Sequence, residues 1–168
     1  MDRLSRIFKH RWLDEADVRR ALPADALARL TAAVAASEQH HSGEIRICVE
    51  AGLPWSYLRH RRTAHDRALM MFSKLRVWDT EHNNGVLVYL LLAEHTVEIV
   101  ADRGLNAQAS SGHWAAIIER MKPALHAGRF EEGLMAAIAA IDGTLRQGFA
   151  RRPEDADHNE LPDAPFVN

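Results

Sequence analysis

The sequence predicts an α/β fold: one domain in which a small mixed sheet is covered by amphipathic helices. Three observations carry the prediction. Gly85 to Leu92 is an apolar run, and after the short connection Ala93-Glu94-His95 it is followed by the alternating segment Thr96 to Ala101, which reads as a β-hairpin. Glu44 to Glu50 alternates as a strand and is joined to the apolar run through a helical stretch, which reads as a βαβ unit. Elsewhere apolar residues recur at three and four, the spacing of helices that cover a sheet.

In chain order, Leu4, Ile7, Phe8 and Trp12 fall at helical spacing among Arg3, Arg6, Lys9 and Arg11, so residues 1–12 read as a basic amphipathic helix. Asp14 is placed to cap a short helix reaching Leu22, with Glu15 and Asp17 at its positive end. Pro23 opens a third helix that runs to about His40 and ends at Ser42-Gly43. The strand Glu44 to Glu50 sets Ile45, Ile47 and Val49 against the mixed face of Glu44, Arg46, Cys48 and Glu50. A single long helix is expected from Trp55 to Arg76. The run Gly85 to Leu92, apolar on both faces, is the expected central strand. A polar loop from Arg103 to Gly112 precedes two helices lined by Trp114 to Leu125 and Phe130 to Phe149. Pro123 is expected to bend or interrupt the first, and Gly128 to separate them. From Arg151 onward Pro153, Pro162 and Pro165 stand among acidic residues, a composition expected to be disordered. The organisation expected is thus a helical segment 1–22, an α/β domain 23–150 and an acidic tail 151–168.

Composition narrows the function classes. A chain of 168 residues has the size of a single domain and can bury roughly 70% of the surface its unfolded form exposes, without a metal or disulfide staple. The 21 Lys+Arg are outnumbered by 23 Asp+Glu, which argues against nucleic acid as a partner. Cys48 is the only cysteine, so neither an intrachain disulfide nor a cysteine zinc site can form, and it reads as a small buried hydrophobe. The N-terminus lacks the apolar core of a secretory signal. The longest uncharged apolar run spans about nine residues, short of the roughly 18 a membrane-spanning helix requires. The expectation is a soluble, cytoplasmic protein without a transmembrane segment, which its N-terminal helix can bring to the inner face of a membrane.

Right-handed parallel connection of the first two strands, followed by an antiparallel third, brings the starts of the first two and the end of the third to one edge of the sheet. Glu44, Asp79, Asn83, Asn84 and Asp102 meet there, with Glu81 nearby. Hard oxygens of this kind suit a divalent cation, calcium above all. The spacing from Asp79 to Asn84 is not that of an EF-hand loop, however. Asn83-Asn84-Gly85 reads equally as a turn, and Asp102 as the ion-pair partner of Arg103 or Arg46. Arg46 and Arg103 are the candidate anion-binding residues of a phosphatase reading, in which Asp79 or Asp102 would act as ligand or base. The histidines lack ligand spacing: His60 and His65 stand among Arg59, Arg61, Arg62 and Arg67, a solvated helix face. Leu4, Ile7, Phe8 and Trp12 form the candidate contact surface, able to dock on the domain itself, on a partner helix or in an anionic membrane.

Four segments in order resemble the TPM domain family, named for a thylakoid-lumen protein, a photosystem repair protein and a receptor-modulating membrane protein. They are Ser42-Gly43-Glu44-Ile45-Arg46-Ile47, Asn84-Gly85-Val86-Leu87, Asp102-Arg103-Gly104-Leu105, and Pro123-Ala124-Leu125 with Gly128-Arg129-Phe130-Glu131-Glu132-Gly133-Leu134. They span about Ala24 to Phe149. The resemblance implies a three-layer, Rossmann-like α/β/α sandwich. It also implies a place in membrane-associated complexes, and for some members calcium binding or phosphatase activity. Where many members leave the hairpin through glycine-aromatic-glycine, this chain has Asp102-Arg103-Gly104. The function expected is a non-enzymatic binding or scaffold domain, tuned by a divalent cation and serving a protein partner at a membrane complex. The alternative is a weak metal-dependent phosphomonoesterase.

Overall fold

The computed structural model describes residues 3–107, 109, 110, 112–151 and 159–168. The chain begins with α1 (Arg3–Trp12), α2 (Glu15–Ala21) and α3 (Ala24–Glu38). Asp14 caps α2 through a reciprocal box, its side chain accepting from Ala16 and Asp17 N–H while Asp17 accepts from Asp14 N–H. Then come β1 (Ile45–Glu50), α4 (Trp55–Arg59), α5 (Ala64–Lys74), β2 (Val86–Leu91) and β3 (Thr96–Ala101). The chain continues through α6 (Arg103–Asn106), α7 (His113–His126) and α8 (Phe130–Gly148) to β4 (Phe166–Val167).

The sheet has the order β3-β2-β1-β4. β1 runs parallel to β2 with Ile45 opposite Val86, and β3 returns antiparallel with Ala101 opposite Val86, so the βαβ unit and the hairpin both form as expected. The fold is a three-layer α/β/α sandwich. On one face Ile45, Ile47, Val49, Val86, Val88 and Leu90 pack with α2, α3, α7 and α8 through residues such as Val18, Leu30, Ile117 and Ile141. On the other, Cys48, Leu87, Tyr89 and Leu91 pack with Leu58, Ala68 and Met71 of α4 and α5. Every residue of β2 is buried, as its two-sided apolar pattern predicts.

Three expectations are corrected, and for Pro123, expected to bend or interrupt its helix, the interruption does not occur. The long helix from Trp55 to Arg76 is two helices. Arg61 adopts φ 56°, and Thr63 restarts the helix by accepting from Asp66 N–H at 3.1 Å while Asp66 accepts from Thr63 N–H at 2.7 Å. The loop after Asp102 contains α6, which Asp102 caps through Arg103 N–H at 2.6 Å. Pro123 lies inside α7 without ending it; Glu119 and Pro123 are both exposed, so water can take the carbonyl that the proline leaves unpaired. The tail, expected to be disordered, supplies β4: residues 152–158 lie outside the described residues, but Phe166 and Val167 pair in parallel with Cys48 and Val49. This fourth strand and α5 cover the mixed face of β1, so that all six residues of the strand are buried. Gly85 enters β2 where a Cβ would stand 2.0 Å from the Val77 carbonyl oxygen, a separation only glycine avoids.

Candidate functional site

The expected cation edge is assembled by topology but divided by its contacts. Asn83, at φ 53°, accepts from Arg103 Nε at 2.9 Å, which sets a guanidinium beside the proposed ligands. Asn84 is buried and donates through Nδ2 to the Ser42 carbonyl at 2.9 Å and Ser42 Oγ at 3.2 Å. Asp79 pairs with Arg76 on the surface. The Glu44 carboxylate accepts from the N–H groups of Glu160 and Leu161, each at 3.2 Å, and burial pushes its pKa up. Arg46 donates to the carbonyls of Pro162 and Ala164, so the C-terminal segment occupies this candidate anion site.

These residues fit a cation only in part. Among the described residues Asn84 Oδ1 and Asp102 Oδ2 are buried without a hydrogen-bond partner, two hard oxygens where calcium takes six to eight. Among the described residues no three His, Cys, Asp or Glu side chains gather as a metal-holding group.

The opposite end of the sheet holds an arrangement that sequence reasoning missed. Leu53 N–H donates to His10 Nδ1 at 2.9 Å, which leaves Nε2 as the donor to Glu94 Oε1, also at 2.9 Å. Arg6 Nε reaches the same oxygen at 2.6 Å, and Arg6 Nη2 donates to the Arg62 carbonyl at 3.0 Å. The bond from His10, with that from Arg6, draws the Glu94 carboxyl down to about 2. Ile7 packs into the core beside them. At about 100° per residue, Arg6, Ile7 and His10 form one side of α1 and Phe8, Arg11 and Trp12 the other. The helix is therefore pinned by its polar-apolar side. Phe8 is 61% exposed and Trp12 82% exposed. Of the expected contact stripe, Ile7 is turned inward, Phe8 and Trp12 outward, and the side chain of Leu4 lies outside the described part of the chain.

The elements that hold the helix carry exposed aromatic and basic residues of their own. Trp55, 55% exposed, opens α4 two residues after the Leu53 that binds His10. The turn that accepts Arg6 at Arg62 carries exposed Arg59, Arg61 and Arg62, while Lys9 and Arg11 are exposed on α1 itself.

At this same end, where β1 finishes at Glu50 opposite Leu91, lies a buried polar network. Glu50 Oε2 accepts from Arg67 Nε at 2.7 Å and from Tyr89 Oη at 2.8 Å, and Asn168 Nδ2 donates to Glu50 Oε1 at 3.1 Å. Arg67, grouped from sequence with a solvated arginine face, is thus a buried counter-ion. Burial, then the charge of Glu50, pushes the Cys48 thiol far up, so it stays protonated and is no nucleophile. Burial, again with Glu50, raises Tyr89 in the same way.

Among the described residues no helix is long and apolar enough to cross a membrane. Comparison with known proteins agrees with the fold. The sequence profile of the TPM domain matches residues 16–144. The solution structure of the BA42 protein from the psychrophilic bacterium Bizionia argentinensis is similar at 27% identity and a TM-score of 0.76, over 88% of this chain and 95% of that one. The N-terminal domain of a P. gingivalis protein is similar in fold, with 21% identity and a TM-score of 0.62 over 76% of this chain and 79% of that one. No functionally curated protein matches the sequence.

Proposed function

Because the chain belongs to the TPM domain family, we propose that it is a non-enzymatic binding domain that docks on an anionic membrane surface, where it meets a protein partner of a membrane-associated complex. The observation that carries the reading is α1, fastened to the domain by Arg6, Ile7 and His10 with Phe8 and Trp12 turned to solvent among Lys9 and Arg11. Aromatic side chains projecting between cations suit the boundary of headgroups and acyl chains. Seating Phe8 and Trp12 there is worth roughly 1.5–3 kcal/mol each, and each cation near the surface about 1 kcal/mol. Co-sedimentation with phosphatidylglycerol vesicles tests the reading. The wild type is expected to pellet with them, and the exposed double variant F8S/W12S to bind at least about 100-fold more weakly with its thermal unfolding unchanged.

Modulation by a divalent cation belongs to the same proposal and is supported by the two unpartnered oxygens, Asn84 Oδ1 and Asp102 Oδ2. Calcium titration by calorimetry tests it: saturable heat that disappears in Asp102→Ala supports modulation, and no heat at millimolar metal removes it. The phosphomonoesterase alternative gains no support from the contacts, since Arg46 is bound to the C-terminal segment and Cys48 is held as a thiol.

A further inference from the structure

Residues 159–168 lie along the outer side of β1 and are held there chiefly through their backbone. Glu44 accepts two of their N–H groups, Arg46 donates to two of their carbonyls, and Asn168 is bracketed by Val49 and Ala51 through two backbone bonds of 3.0 Å. Contacts of this kind grip any extended chain, leaving selectivity to a few side chains. Those are Leu161, which is buried; Phe166, with Lys74 Nζ 5.9 Å from its ring centre; Val167, against the core; and Asn168, whose amide reaches buried Glu50. Glu160 adds a contact of its own, accepting from Glu81 N–H at 3.0 Å.

Charge works against this occupant at one position. Asp163 shares with Glu38 and Glu44 the wall of a cavity of about 160 Å³, lined also by Gln39, Arg151 and Asn159. Burial raises the Glu38 carboxyl to about 8, and the charges of Glu44 and Asp163 push in the same direction while Arg151 opposes them. Asp163 likewise adds to the rise of Glu44. Asp163 also supports the charge of Arg46, but toward Glu38 and Glu44 an acidic residue sits where two buried carboxyls favour a cation.

We infer that the outer side of β1 is a peptide-binding groove which the chain's own residues 159–168 occupy in cis. Its preferred partner in trans is an extended strand, parallel to β1, with the same Leu, Phe-Val and Asn anchors and a basic residue in place of Asp163. Nothing in this inference depends on α1 or on membrane docking.

Fluorescein-labelled ten-residue peptides copying residues 159–168 test it by polarisation against the full chain. The peptide carrying Asp163→Lys is expected to bind at least ~10-fold more tightly than the natural one, a difference of about 1.4 kcal/mol. Adding Phe166→Ala to that peptide is expected to abolish binding. Hydrogen exchange of the unmodified chain is the second readout: Glu160, Leu161 and Asn168 amides are expected to exchange through local opening, at least ~10-fold faster than Val88 and Leu90. Absence of binding by either peptide, equal binding of all three, or exchange of the segment in step with β2 would overturn the proposal.

Discussion

Replacing Glu38 by glutamine removes a carboxyl that the fold keeps protonated and that becomes costly once pH rises past about 8. Glu38 is 9% exposed, accepts from Ile45 N–H at 2.8 Å, and faces Glu44 and Asp163 with Arg151 opposing them. Burial is the largest cause of its rise from 4.5 to about 8. Because the folded form holds the proton more tightly, its contribution to stability is full below pH 4.5, declines as pH rises, and is lost above about 8. A rise of this size corresponds to about 5 kcal/mol at complete deprotonation, an upper bound because the pocket can relax or admit water. Glutamine keeps an oxygen for Ile45 and carries no charge. Glu38→Gln is therefore expected to change stability little at pH 4.5 and to stabilise the chain by about 2–5 kcal/mol at pH 9, read by urea unfolding followed by circular dichroism. A stability difference independent of pH, or destabilisation at pH 9, would refute the reasoning.

Four further outcomes are expected. Glu94→Ala leaves His10 and Arg6 without their acceptor and is expected to cost about 1–3 kcal/mol, seen as faster amide exchange and tryptic cleavage in α1. In the wild type the contribution of Glu94, whose folded pKa is depressed, is present above 4.5 and is lost as pH falls through about 2, so protection of α1 should decline across that window ahead of β2. Gly85→Ala forces a methyl group against the Val77 carbonyl and is expected to destabilise by about 1–3 kcal/mol in urea unfolding; a neutral substitution would contradict the packing described. Hydrolysis of a generic phosphomonoester is expected to be equal in wild type and Asp102→Ala at matched purity, whereas loss of a wild-type rate in the variant would favour the enzymatic alternative.

The parts of the fold that sequence made legible are those written in local pattern. The hairpin is visible because the two-sided apolar run of β2 and the alternation of β3 are both contiguous, and the βαβ unit follows from connection rules. The break between α4 and α5 is also written locally, in Thr63-x-x-Asp66, but the helical spacing on either side of it masks the capping box. β4 is not legible: Pro162, Pro165 and the acidic residues argue for disorder, while the pairing of Phe166-Val167 depends on a strand edge more than 100 residues away in sequence. The same long-range segment takes Glu44 and Arg46 out of the expected site. In α1, periodicity groups Leu4, Ile7, Phe8 and Trp12 as one stripe and cannot show that Arg6 and His10 choose which side docks. That choice is made by Glu94 and Leu53, which only the folded chain brings near.

The most direct test of the membrane account places Trp12 itself. In a full chain whose Trp55, Trp78 and Trp114 are replaced by phenylalanine, Trp12 becomes the sole indole fluorophore. With phosphatidylglycerol vesicles carrying bromine on their acyl chains, its fluorescence is expected to be quenched at low salt, with binding weakening as ionic strength rises. Unquenched Trp12 fluorescence under conditions where the chain pellets with the vesicles, or no pelleting at all, would contradict docking through this face.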